Sequence, residues 1–258
     1  ARSSSDNTNL RIRLEELGKA TDLDYEQFRI KQYGYSAGSG AIAFALVTVL
    51  SASLILSIFA MVVIINAFNL IDGIDGLASG LAMLAAGSFG IWFYLAGHTQ
   101  FSILSFALVG SLAGFFIYNV FGHRNKLFMG DTGSLVIGLV LGLLTLKLLT
   151  LEFETFTLLS IHRNELPFLL LIILIVPAFD LCRVTFIRLK KRVSIFSPDR
   201  NHIHHLLIDS GLSHKKASLL SGFTNLFFAV AMYLSIQYLG LLYSFLFLIV
   251  FILACFAL

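Results

Sequence analysis

The chain has 258 residues, of which 57% are hydrophobic and only 13% charged, with a formal net charge of +3. A soluble domain carries about 25% charged residues, so this composition excludes a large soluble core and points to a polytopic membrane protein. The small net charge, with no basic face interleaved with aromatics, excludes a nucleic-acid binder.

Taken in chain order, Ala1–Tyr35 is polar, with six basic and six acidic residues and an amphipathic pattern at Leu10, Leu14 and Leu17. Residues 1–40 are therefore set apart as a polar segment of unassigned origin, and 41–258 as the transmembrane domain. A spanning helix needs roughly 20 mostly apolar residues. About seven windows meet that length: Ala41–Ile65, Leu77–Gly97, Phe101–Phe121, Leu135–Leu151, Leu166–Ile187, Ala217–Tyr238 and Leu239–Leu258. The expected fold is an all-α transmembrane bundle. Pro167 suits the first turn of its helix, whereas Pro177 is expected to kink the same span just before Asp180. The Gly97–Gln100 and Gln237–Gly240 connections are short enough to force antiparallel hairpins. Cys182 and Cys255 both fall within spans and are expected to be reduced. The chain opens on Ala1 and closes inside the apolar run Phe251–Leu258, so it is expected to be a segment of a longer protein.

Basic residues set the orientation. Arg124 and Lys126 share one loop and seven more Lys and Arg lie between Arg188 and Lys216, while Glu152–Glu165 has only Arg163 against three Glu. The loops at 66–76, 122–134 and 188–216 are thus expected on one cytoplasmic face. All three polar clusters of the chain lie on those loops. Arg188, Lys190, Lys191 and Arg192 read as orientation anchors, with a secondary attraction for a lipid phosphate.

The first cluster is Asn66-Ala-Phe-Asn69-Leu-Ile-Asp72-Gly73-Ile-Asp75-Gly76. Ionisable groups next to a membrane span are expensive and mark a water-filled site. If the stretch continues the helix, Asn69, Asp72 and Asp75 at i, i+3 and i+6 share roughly one face. A plain chain-reversing turn needs one Asp-Gly pair rather than two with two Asn. The second cluster is Phe128-Met-Gly-Asp131-Thr-Gly-Ser134, at the start of the fourth span. Asp131 there fits either helix capping or a Mg²⁺ ligand, since Mg²⁺ is held by one or two carboxylates plus substrate phosphates. Three converging carboxylates repel unless a cation or protons intervene. The third is Ser197-Pro-Asp199-Arg200-Asn-His202-Ile-His204-His205. It lacks the Cys partners or His-Glu-x-x-His spacing of zinc sites, and suits charge-assisted bonds to diphosphate oxygens. Asp180, three residues from Arg183, reads equally as a structural ion pair or a part of the site.

These motifs, in this order, resemble the polyprenyl-phosphate N-acetylhexosamine-1-phosphate transferases, glycosyltransferase family 4. The resemblance runs from about Ile64 to the C-terminus. The form Ser-Pro-Asp-Arg-Asn-His-Ile-His-His-Leu is similar to the N-acetylglucosamine-1-phosphate branch rather than to the peptidoglycan translocase. It implies transfer of a HexNAc-1-phosphate from a UDP-sugar to undecaprenyl phosphate, releasing UMP. The product starts a cell-envelope glycan such as O-antigen or teichoic acid, at the cytoplasmic face of the bacterial inner membrane. By resemblance, Asp131 coordinates Mg²⁺, with Mn²⁺ as the alternative, and Asp72 and Asp75 bind nucleotide sugar or assist the metal. Asn69 and Asn119 lie near the nucleotide sugar, and Arg200, His202, His204 and His205 contact the diphosphate or the sugar. The family leaves room for a homodimer. Its members also carry an Asp-Asp-x-x-Asp/Glu motif on an earlier loop, and no Asp-Asp pair occurs in these 258 residues. Asp22 and Asp24 stand in no matching context. Two other readings remain: a non-catalytic remnant that binds the UDP-sugar, and a metal- or proton-coupled transporter, whose carboxylates would sit in mid-span.

Overall fold

The computed structural model describes residues 7–13, 22–151, 165–194 and 201–257, and among them all regular structure is helical. The elements are α1 (7–13), α2 (Asp22–Ile71), α3 (Leu77–Leu95), α4 (Thr99–Phe121), α5 (Gly130–Leu149), α6 (Leu166–Ile173), α7 (Ile175–Lys190), α8 (Ile203–Asp209), α9 (His214–Leu239) and α10 (Leu241–Ala257). The chain divides into two compact units, Ala1–Leu56 and Ser57–Leu258. All the motifs lie in the second.

Residues 22–40, expected to stand apart from the first span, form one continuous helix with it. No proline falls between Asp22 and Ile71 to stop that helix. Five helical stretches are long and apolar enough to cross a bilayer: Thr48–Ile71 of α2, α3, α4, α5 and α9. The pair α6 and α7 makes a sixth if counted as one span. The seventh expected window corresponds to α10, a shorter apolar helix of 17 residues.

The fifth span is broken rather than kinked. α6 and α7 meet at 78° around Leu174, three residues before Pro177. Proline has no N–H and its ring clashes with the carbonyl four residues back, which here is that of Ile173. Asn225 of α9 takes up the groups left over. Its Nδ2 donates to the Ile173 carbonyl at 2.9 Å, and its Oδ1 accepts from the Val176 N–H at 3.3 Å. One buried amide therefore bridges the break and satisfies backbone that the bilayer cannot solvate.

α3 is the centre of the second unit and packs against α4, α5, α6 and α9. Its sequence is rich in Ala and Gly, and Ala82, Ala85, Ala86, Phe89 and Phe93 are fully buried. Small residues let helices approach closely in lipid, where no hydrophobic force drives them together. The same device joins α5 to the end of α2. A Cβ on Gly138 would lie 2.7 Å from the Ile65 Cα, and one on Gly142 would lie 2.6 Å from the Met61 Sδ. This Gly-x-x-x-Gly contact places the last turn of α2 beside the first turn of α5, where the first two motifs meet.

Candidate active site

α2 ends at Ile71, and Asp72–Gly76 form a turn leading into α3. The shared helical face expected of Asn69, Asp72 and Asp75 is therefore absent: only Asn69 is on the helix, and the two aspartates lie in the turn. Gly76 adopts a φ of +79°, a conformation glycine reaches without steric cost.

This turn is the hub of the site. Asn69 Nδ2 donates to Ser134 Oγ at 3.0 Å, tying the first motif to the second. The Gly76 N–H donates to Asn119 Oδ1 at 2.6 Å, and Asn119 Nδ2 donates to the Leu127 carbonyl at 2.8 Å. Asn119 is thus a clip between the turn and the segment leading to Asp131. Asp75 Oδ2 pairs with Lys126 Nζ at 2.6 Å, with His214 Nδ1 at 3.7 Å on the same oxygen. Asn66 turns back to its own helix, donating to the Val62 carbonyl.

Asp131 is exposed in the first turn of α5, and no side chain caps that helix. Asp131 therefore makes no side-chain cap, while its place in the first turn still lets the helix dipole favour its charge. Burial, and then the nearby charge of Asp131, hold the carboxyl of Asp72 above the usual carboxylate range. Two carboxylates from two motifs repel across this gap, while the third, Asp75, is already neutralised by Lys126. Among the described residues no group of three or more His, Cys, Asp or Glu is arranged as a cage. The pair Asp72 and Asp131 fits a divalent cation that takes its remaining ligands from phosphate and water, which is the habit of Mg²⁺.

The histidines close the site from the other side, and they are not equivalent. Arg200, grouped with them from the sequence, lies outside the described residues. His202 Nδ1 is 2.8 Å from Asp180 Oδ2, whose other oxygen accepts the Ile203 N–H at 2.7 Å. Asp180 is therefore paired with the histidine motif and not with Arg183, which donates instead to the Asn201 carbonyl at 2.6 Å. The rings of His202 and His204 stack with centroids 5.6 Å apart, and His205 lies 4.3 Å from His204. His204 is 2% exposed and rests on Gly73: a Cβ there would lie 2.1 Å from its Nε2. Among the described residues neither ring nitrogen of His204 has a hydrogen-bond partner. Burial, aided by His205, lowers its pKa to about 4, with Asp180 opposing and His202 and His214 adding to the fall. Burial thus disfavours the charged form of His204 in this conformation.

The sequence reading missed Lys126, which it took for an orientation charge, and His214, which stands at the start of α9 without a motif. The only sequence signal for Lys126 is its place in the run between Asn119 and Asp131. His214 has none.

The fold and this gathering of polar groups at one end of the bundle define a polytopic helical membrane protein with a composite site. Residues 26–149 match the model of glycosyl transferase family 4. That match contains Asp72, Asp75, Asn119 and Asp131, and stops before the histidines. The chain is 36% identical over 167 residues to the undecaprenyl-phosphate alpha-N-acetylglucosaminyl 1-phosphate transferase of Escherichia coli (strain K12), covering 64% of this chain and 43% of that protein. It is 35% identical over 168 residues to the protein of the same name from Yersinia pestis, covering 64% of this chain and 44% of that protein. The matched regions thus span less than half the length of these relatives.

Proposed function

We propose that the protein transfers N-acetylglucosamine 1-phosphate from its UDP-sugar to undecaprenyl phosphate at the cytoplasmic face of a bacterial inner membrane, releasing UMP. The observation that carries this reading is the convergence of all three motifs on the last turn of α2 and the turn 72–76 that follows it, through Asn69–Ser134, Gly76–Asn119 and Gly73–His204. A turn-centred site at one end of the bundle suits a substrate with one end in water and one in lipid. It does not suit an ion path, whose carboxylates would lie in mid-span.

Asp72 and Asp131 would hold Mg²⁺, which supplies charge neutralisation for the diphosphate as UMP departs. Lys126 holds Asp75 in place, and Asn119 fixes the turn against the 122–129 segment. His202 and His205 would contact the diphosphate or the sugar. The lipid phosphate oxygen attacks the β-phosphorus, and the bond to UMP breaks.

The test is a radiolabelled-sugar assay in detergent with UDP-N-acetylglucosamine, undecaprenyl phosphate and Mg²⁺. Lipid-linked sugar phosphate and UMP are expected, and chelation of the metal abolishes both. Asp131→Asn is expected to lower turnover by about 10²-fold or more while the protein stays folded, since one ligand and one charge are lost. Turnover by that variant at the wild-type rate, or by wild type without divalent metal, would overturn the metal assignment. Binding of the UDP-sugar without any transfer would support the non-catalytic reading.

A further inference from the structure

We propose that Asp180 is a positioning residue that holds His202 as the Nδ1–H tautomer and so leaves Nε2 as the nitrogen that meets substrate; this rests on the transferase reading above. A carboxylate oxygen can only accept a hydrogen bond. With Asp180 Oδ2 at 2.8 Å from His202 Nδ1, that nitrogen carries the proton. In the neutral ring Nε2 then keeps its lone pair, ready to accept the proton of a hydroxyl or P–OH group on the substrate.

Three further observations mark the contact as built. Asp180 is 1% exposed and His202 5%, so the pair is shielded from water that would exchange the bond. The second oxygen of Asp180 accepts the Ile203 N–H at 2.7 Å, which fixes the carboxylate plane. Arg183, one turn further along α7, holds the Asn201 carbonyl at 2.6 Å. One face of α7 therefore grips three successive residues, 201 to 203, immediately before His204, which packs against Gly73. The bend between α6 and α7 sets the direction of that face.

Asp180→Asn separates positioning from mere clamping. Its Oδ1 still accepts the Ile203 N–H, while its Nδ2 donates to His202 Nδ1 and forces the proton onto Nε2. The experiment is nitrogen NMR of the full chain labelled with [15N]histidine, with the His202 signals identified by their loss in His202→Gln. Transfer rate and thermal midpoint are measured on the same samples. The expected result is an Nδ1–H tautomer in wild type and an Nε2–H tautomer in Asp180→Asn, with turnover lowered by about 10²-fold at a near-native midpoint. An Nε2–H tautomer in wild type overturns the proposal, as does an unchanged tautomer or undiminished transfer in Asp180→Asn. If Asp180→Asn does not fold, the wild-type spectrum decides the tautomer by itself. A wild-type protein that shows the Nδ1–H signature but transfers no sugar phosphate refutes the transferase reading and leaves the Asp180–His202 assignment standing.

Discussion

The ring of His204 lies against a glycine with no room to spare. Gly73 has a φ outside the left-handed region, so it is required for the space it leaves and not for its backbone freedom. Three ring atoms of His204 would lie within 2.9 Å of an added Cβ. Gly73→Ala must therefore displace the ring, and overpacking of this kind costs about 1–3 kcal/mol. Turnover of Gly73→Ala is expected to fall by about 10²-fold, because misplacing a site group by 1 Å has that effect. A fully active Gly73→Ala would show that His204 does not need its seat. The same burial makes the fold sensitive to acid. The pKa of His204 is lowered from 6.5 to about 4 in the folded state, so between those values the unfolded chain binds the extra proton. Stability therefore falls as pH drops through that window and levels off below it, by at most about 3 kcal/mol. Melting curves of wild type and His204→Phe between pH 7 and pH 4 check this, and the variant is expected to lose less stability over the window.

At the scale of helices, the approach of α5 to α2 decides whether the two carboxylate motifs can meet. A Cβ added at Gly138 would meet the Ile65 Cα at 2.7 Å, the Ile65 carbonyl at 3.2 Å and the Ile64 carbonyl at 3.3 Å, which are backbone atoms that cannot rotate away. Gly138→Val is expected to push α5 outward, lower the thermal midpoint and break the Asn69–Ser134 bond. In a double-mutant cycle, Ser134→Ala would then cost less in the Gly138→Val background than in wild type. Equal costs would show that the bond survives and that the close approach is not what holds it. The break between α6 and α7 was legible only in part. Pro177 announced a disruption, but its place at Leu174 and its depth of 78° depend on Asn225 being there to take the freed backbone groups.

For the whole molecule, both ends of α4 are described, and they should lie on opposite sides of the membrane. Asn125 is exposed beyond one end, next to the site, and Gln100 is exposed at the other. With Cys182 replaced, a cysteine at Asn125 is expected to react with an impermeant thiol reagent only from the cytoplasmic side, and one at Gln100 only from outside. Labelling of both positions from the same side would break the argument that Lys and Arg mark the inner face.

Chemistry of single residue types against membrane hydropathy made the spans and the three polar clusters readable from the chain alone. Asn, Asp and His beside apolar runs are too expensive to be there without purpose, and that cost needs no partner to be visible. Asn69, Asp72, Asp131 and His204 were found in this way. Their roles were not, because a role depends on what stands opposite. Asp75 is engaged by Lys126, Asp180 by His202 and Gly73 by His204, each pair far apart in the chain. The sequence thus determined that a polar site exists and which motifs form it. The packing of small residues, the broken fifth span and the turn after α2 decided which carboxylates are engaged and by what, because helix-end groups find their partners only once the helices have docked.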